Sequence, residues 1–386
     1  MRVLVIGGGP AGLFFSILAK RALPDADVHV VEQNRHDATY GWGVVFTEGA
    51  IDALSPSAPD VVGAIAHDRP PTDHLDVIVG ENRRSVHGNT FFRIGRVGLL
   101  ELLQGFAREA GVTCEFEKRV EDERDLAGWD LVVGADGVNS VVRDLFADEF
   151  RPEVSLGRNW WAWYGTRRLF PAVSLIFEPR PEGMFVGHAY QYAADMSGFV
   201  VEVTPAAFEA AGLAELTGPD ARSASAEIFA RHLGGEELLD NRSVWFQPKF
   251  VSCANWSTRN VVLIGDALHT VHPSIGSGTR FAMRDAVALS DALVERGEDI
   301  PAVLTHFERM RRRRADAFQA AARRSIAWYE SLSERTISDT TRFALEYIMR
   351  TGRVRFEEFR RLNPDIVAEY ERPSAGRDSL RSGVSV

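Results

Sequence analysis

The sequence predicts an α/β fold: a Rossmann-like nucleotide-binding domain, an antiparallel β-sheet domain inserted into it, and helices at the C-terminus. Three observations predict this. An apolar run of strand length, Met1 to Ile6, turns through Gly7-Gly8-Gly9-Pro10-Ala11-Gly12 into the helix-like Leu13 to Arg21. Between about residues 155 and 250 the chain changes to aromatic, β-rich segments, beginning with Trp160-Trp-Ala-Trp163-Tyr164. From Pro301 onward the pattern is helical.

The opening turn places a G-x-G-x-x-G frame on Gly7, Gly9 and Gly12. Missing side chains there permit a tight turn, close backbone approach to a pyrophosphate, and tight helix-on-sheet packing. Pro10 and Ala11 open the helix, whose N-terminus would face the phosphates. A second strand, Val28 to Val31, ends in Glu32 and Gln33. A carboxylate at that distance can accept both hydroxyls of an adenosine ribose and would repel a 2′-phosphate. The glycines alone are a weak signal, but strand, glycines, helix, strand and acid in this order are a strong one. They do not separate FAD from NAD.

The bulk numbers bound the remainder. A chain of 386 residues has length for two or three domains and a real core. With 44 basic against 54 acidic residues the formal charge is −10, which argues against a nucleic-acid partner. Cys114 and Cys253 are far apart and make no metal spacing, as expected of a reducing cytoplasm without a structural disulfide. The first strand begins at residue 2, so no signal peptide is expected, and apolar stretches break before membrane-spanning length. The reading is a soluble cytoplasmic protein, monomer or homodimer, with no metal.

Along the chain, Tyr40-Gly-Trp-Gly-Val-Val-Phe46 is either a loop that lies flat on a planar ring or a hairpin end. A short helix is expected over Glu48 to Leu54. Residues 74 to 94 alternate as strands of a separate sheet, and Arg96 to Ala110 is an amphipathic helix with Arg96 at its start. An arginine there is ordinarily just solvated. Strand-like Val112 to Phe116 leads to Asp130 to Gly134, a second strand ending in a turn, Asp136-Gly137, that feeds a helix carrying Ser140 and Arg143. Taken by itself Asp136-Gly137 is a plain turn. Helices over Ala206 to Leu216 and Ser223 to Leu233 interrupt the β-rich segment, whose sheet face could wall a pocket for a flat ligand.

The densest passage follows. Asn260 to Ile264 is a buried strand, Gly265-Asp266-Ala267-Leu268-His269 its end, and Pro273-Ser-Ile-Gly276-Ser-Gly278 a loop opening a helix from Thr279 to Glu295. Asp266 can accept hydrogen bonds from a sugar-alcohol chain. The helix N-terminus can aim unpaired N–H groups at an electron-rich ring edge and stabilise the charge of a reduced flavin. An NAD protein has no need of this feature, so FAD is favoured. Arg311 to Arg314, with Glu308 and Asp316 close by, reads as a solvated helix face, and the polar residues from Pro373 onward as a flexible tail.

Together these residues resemble the single-component, FAD-dependent aromatic monooxygenases with the para-hydroxybenzoate hydroxylase fold. Gly7, Gly9, Gly12 and Glu32 match that family's ADP-binding element, and Arg96, Leu99 and Leu103 its R-x-x-L-x-x-x-L helix, in which the arginine lies against FAD. Asp136, Gly137, Ser140 and Arg143 match its D-G-x-x-S-x-x-R motif, linked to FAD and to the nicotinamide reductant. Gly265, Asp266, His269, Pro273, Gly276, Gly278 and Asp285 match the element along the ribityl chain and isoalloxazine. Leu268 and Thr279-Arg280 depart from it, the latter standing where the family often has an apolar residue and asparagine. A finer likeness in Gly41 to Phe46, Gly157 to Thr166, His188-Ala-Tyr190 and Ser274 to Thr279 is to the tryptophan hydroxylase of violacein biosynthesis and the salicylyl-CoA and anthraniloyl-CoA hydroxylases.

The resemblance implies a glutathione-reductase-type FAD-binding domain over 1–72, 92–154 and 251–335, and a substrate domain over 73–91 and 155–250. C-terminal helices over 336–372 and the tail 373–386 complete the division. It implies that NADH or NADPH reduces FAD and that O2 then forms a C4a-hydroperoxide, which hydroxylates an aromatic substrate, an aryl-CoA thioester or an indole. Pro273 would shape the flavin pocket, while His188 and Tyr190, then His272, are the candidates to accept or orient a substrate proton. Two rivals remain. Trp161-Ala-Trp163 begins a flavin-dependent halogenase signature that Tyr164-Gly165-Thr166 does not complete, and a non-catalytic flavin-binding module would have little reason to keep the Pro273 to Gly278 loop.

Overall fold

Val3, Leu4, Val5 and Ile6 are all buried, because the strand they form has neighbours on both edges and helices on both faces. In the computed structural model this strand, Arg2–Ile6, sits inside a six-stranded sheet. Across the sheet the order is Ser257–Thr258, Val261–Leu263, Leu131–Gly134, Arg2–Ile6, Asp27–Glu32, Thr113–Phe116. All pairings are parallel except that of Ser257–Thr258. The structure describes residues 1–38, 41–276, 278–335 and 337–372. Tyr40, Ser277 and the expected tail 373–386 lie outside the described residues.

The turn from strand to helix is built for glycine. Gly7 holds φ +111°, and a Cβ there would come within 2.4 Å of the Ala135 carbonyl oxygen, in the loop after the neighbouring strand. A Cβ on Gly12 would stand 2.1 Å from the Gly7 oxygen. Helix Pro10–Ala22 follows, with Pro10 at its first turn and no side chain capping its N-terminus.

The second sheet has eight strands in the order Leu238–Leu239, Trp160–Thr166, Ser197–Val203, Gly183–Gln191, Val173–Arg180, Thr72–Val79, Asn82–Gly95, Gly43–Thr47. It is antiparallel except where Val173–Arg180 runs parallel to Thr72–Val79, the seam at which two inserted segments meet. Gly43–Thr47 pairs with Phe91–Gly95 at the end of this sheet. Strand alternation gives the sheet two apolar faces. Ile176, Phe199 and Val201 pack under Phe208, Phe229 and Leu233 from the helices around 205–233. Leu75, Val77, Leu175 and Phe177 pack against Trp328, Tyr329, Phe343 and Tyr347, from the long helix Ile300–Glu330 and from Thr340–Met349.

The helix Arg96–Ala110 falls where periodicity placed it. The short helix Pro59–His67 was not anticipated, while Pro364–Glu371 falls within the expected C-terminal helices; each carries proline in its first turn. Arg311 departs from the expected solvated face. It is buried, because its guanidinium meets the fully buried Asp285 at 2.7 Å.

Candidate functional site: a cavity between the two sheets

A cavity of about 590 Å³ runs from the C-terminal ends of the parallel strands to the second sheet. Gly7, Gly9, Pro10 and Ala11 line it at one end with Glu32 and Gln33, and Pro273, Gly276, Gly278 and Thr279 line it together with Arg96, Asp136 and Asp266. The two stretches 260 residues apart therefore face the same space. Gly12 and Gly265 do not line it but allow its walls to close. A Cβ on Gly265, at φ +62°, would lie 3.3 Å from the Ala11 Cβ and 3.2 Å from the Ala282 Cβ.

The donor and acceptor set fits a dinucleotide. A Cβ on Gly9 would meet nothing within 4 Å, so the chain leaves open space directly in front of an uncapped helix N-terminus. Glu32 is held at the strand end by the Gly8 N–H at 2.8 Å on one oxygen and by the Asn34 N–H at 2.8 Å on the other. Asp136 accepts the Val141 and Val142 N–H groups with Oδ2, while Oδ1 is buried without a partner among the described residues. Burial raises the Asp136 carboxyl above the usual carboxylate range, and a hydrogen-bond donor arriving from the cavity would relieve that cost. Burial likewise raises Asp266, against the opposing field of Arg96, and depresses the Arg96 guanidinium against the field of Asp266. Arg96 makes no side-chain hydrogen bond among the described residues, leaving its planar donor fork to the cavity.

Below this line the walls are braced. Ser140 caps its helix by accepting the Arg143 N–H at 3.0 Å, and the buried Arg143 donates to the carbonyls of Ala267 at 3.1 Å and Val138 at 3.0 Å. The motif implied to touch a nicotinamide reductant thus ties its turn to the Gly265–Ala267 turn. Asp285 accepts the Gly265 N–H at 2.9 Å, His269 at 2.8 Å and Arg311 at 2.7 Å. Burial alone would raise Asp285, but these partners hold it below the usual carboxylate range.

The opposite wall is aromatic. Trp161, Trp163, His188, Tyr190 and Val200 face the cavity from three adjacent strands. His188 stacks on Trp161 at 5.2 Å, and its Nε2 lies 3.0 Å from the buried Glu202, whose other oxygen accepts the Asn159 side-chain amide at 2.8 Å. With the carboxylate taking Nε2–H, Nδ1 keeps a free lone pair. The Tyr190 hydroxyl is committed, donating to the Gly43 carbonyl at 2.9 Å, and burial pushes the phenol well up. Its ring crosses Gly198, where a Cβ would lie 3.1 Å from the ring. His272 is not on the cavity wall. Its Nδ1 accepts the Ser274 N–H at 3.2 Å, and burial brings its pKa down to about 3.

Tyr347 and Arg350 are among the lining residues that the sequence reading did not single out. Arg350 stacks over Tyr347 at 3.8 Å and donates to the Ser274 carbonyl at 3.0 Å and to Ser325 Oγ at 3.0 Å, so a C-terminal helix clamps the Pro273–Ile275 turn. Only the helical period of that region is visible in sequence, and nothing there announces a cavity.

Fold and lining residues fit a flavoprotein with an aromatic-lined chamber. The family model for an FAD binding domain matches residues 99–322, and the chain belongs to that family. It is 36% identical over 361 residues to a salicyloyl-CoA 5-hydroxylase of Streptomyces sp, covering 91% of this chain and 70% of that protein. It is 34% identical to a 3-hydroxy-4-methyl-anthranilyl-[aryl-carrier protein] 5-monooxygenase of Streptosporangium sibiricum, covering 86% and 90%. It is also 32% identical to the protodeoxyviolaceinate monooxygenase of Chromobacterium violaceum, covering 90% and 94%. A solved 2-methyl-3-hydroxypyridine-5-carboxylic acid oxygenase, 18% identical, shares the fold with a TM-score of 0.67 over 93% of this chain and 95% of that one. The protein is an FAD-dependent aromatic monooxygenase. Among the described residues no helix is long and apolar enough to cross a membrane.

Proposed function

We propose that this chain hydroxylates an aromatic ring carried on a thioester, using NADH or NADPH and O2, as a cytoplasmic monomer or homodimer. The observation that carries the reading is the His188–Glu202 pair, set in an aromatic wall that lines the same cavity as Pro273, Gly276 and Thr279. Two of the relatives act, by name, on aryl groups held by CoA or by a carrier protein, which supports the thioester. The violacein-pathway relative, named for protodeoxyviolaceinate, keeps an indole-type substrate as the second reading.

When bound, FAD supplies the electron storage and oxygen activation. This chain supplies position and dryness. Gly7 to Ala11 and Glu32 would hold the adenosine and pyrophosphate end, Asp266 and Arg96 the middle, and the backbone from Pro273 to Thr279 the ring edge. Trp161 and Trp163 would hold the substrate ring flat, and an occupied aromatic wall would keep out water that would divert oxygen to peroxide. His188 Nδ1 is the acceptor for a phenolic proton of the substrate, with Glu202 holding the charge that develops on the imidazole. Tyr190 orients the Gly43 turn and does not take the proton.

The test is NAD(P)H consumption with salicyloyl-CoA, anthraniloyl-CoA and tryptophan-like compounds, under 18O2, with product mass recorded. One labelled oxygen per product from a thioester is expected. The His188→Gln enzyme should keep its flavin and lose roughly 10²-fold or more in hydroxylation rate, the range for a positioned proton acceptor. Stoichiometric peroxide with every aromatic compound would contradict the reading.

A further inference from the structure

The site already described leaves one cluster unexplained. Arg280 follows the cavity-lining Thr279, and Arg353 stands three residues past the cavity-lining Arg350. Their guanidinium carbons lie 5.0 Å and 4.8 Å from the ring centre of one residue, Phe318. Neither side chain has a hydrogen bond or a carboxylate partner among the described residues; stacking on Phe318 is their only fixed contact. Arg284, one turn beyond Arg280 on the same helix, donates to the Ala53 carbonyl at 2.7 Å and likewise has no ion-pair partner among the described residues.

Arg280 is half-buried and Arg353 exposed, and the two like charges are held at one ring. Burial lowers the Arg280 guanidinium to about 10, with Arg353 and Arg284 adding like-charge repulsion. The nearest acid on that helix, Asp285, has both oxygens already engaged by His269, Gly265 and Arg311. The chain as a whole is acidic, at −10, so a knot of unneutralised arginines is not a general property of its surface. Guanidinium groups over an aromatic ring can keep their donor edges free, and two such forks at one ring can match the oxygens of a phosphate.

We propose that Arg280 and Arg353, supported by the field of Arg284, form a phosphate-binding site at the rim of the cavity, distinct from the FAD pyrophosphate cradle at Gly7 to Ala11. The inference rests on the reading of a thioester substrate and a nicotinamide reductant, since each brings phosphate to that rim. A CoA or phosphopantetheine handle and the phosphates of NAD(P)H share this chemistry, and the experiment separates them.

The FAD-loaded full chain is titrated calorimetrically with CoA and, separately, with NADP⁺, using wild type, Arg280→Gln, Arg353→Gln, the double variant, and Arg313→Gln as a charge control outside the cluster. Flavin content and thermal midpoint report that each variant folds. Loss of one charge-assisted contact should weaken binding by roughly tenfold, and of both by about a hundredfold. Weakening for CoA alone assigns the site to the thioester handle, and weakening for NADP⁺ alone assigns it to the reductant. Arg280→Lys should recover part of the affinity. If both ligands bind the double variant and Arg313→Gln as tightly as wild type, the site does not exist. Because the readout is binding and not turnover, that failure leaves the hydroxylase reading to be judged by its own assay.

Discussion

His272 shows how one residue can serve the site without touching it. It precedes Pro273, and its Nδ1 takes the Ser274 N–H while its ring stacks on Phe250 at 5.6 Å and meets Trp161 edge-on at 5.2 Å. Burial keeps it neutral, with a pKa of about 3 against the ordinary 6.5. The unfolded chain therefore binds the extra proton first. The stability this residue contributes is complete above pH 6.5 and is lost as pH falls toward about 3. The slope can reach about 1.4 kcal/mol per pH unit between those limits. In His272→Asn, whose side-chain oxygen can still accept the Ser274 N–H, urea unfolding should depend less on pH across that window. A stability difference from wild type that stays constant from pH 7 to pH 4 would contradict this. His188 and Tyr190, nominated together by sequence, separate at this scale: one keeps a free nitrogen and the other has spent its hydroxyl on Gly43.

Among elements, the helix Gly278–Arg296 carries the most consequence, because it joins the ring-facing loop to the parallel sheet. Asp285 on this helix fixes the Gly265 turn, and Arg311 on the long helix Ile300–Glu330 neutralises Asp285 from behind. Replacing Arg311 by Met leaves a fully buried carboxylate with only the Gly265 N–H and the His269 ring as partners. Breaking a buried pair in this way costs about 3–5 kcal/mol. Urea unfolding of Arg311→Met should show a loss of that size, and a loss below about 1 kcal/mol would mean that the pair is solvated in solution. This element also marks where sequence reading stops. The strand-glycine-helix order at residues 2–22 was legible because glycine spacing and apolar runs are local signals. The burial of Arg311 was not, because Asp285 lies 26 residues away and four consecutive arginines read as a solvated face.

At the scale of the molecule, two sheets with separate cores meet around one cavity, and the C-terminal helices close its side through Tyr347 and Arg350. The joining of residues 7–11 with 273–279 was legible in outline, since each stretch alone carries the chemistry of one end of a flavin dinucleotide. The contribution of Arg350 was not, because a clamp on a backbone carbonyl leaves no motif. The central claim is that one FAD spans this cavity, with its adenosine ribose on Glu32 and its ring edge on the backbone between Pro273 and Gly278. A crystal structure of the flavin-loaded protein tests it most directly. The account predicts electron density running from the Glu32 carboxylate past Asp266 to that loop, with the ring facing Trp161 and His188. Density for the adenosine at the loop, or for the flavin ring away from the aromatic wall, would contradict it.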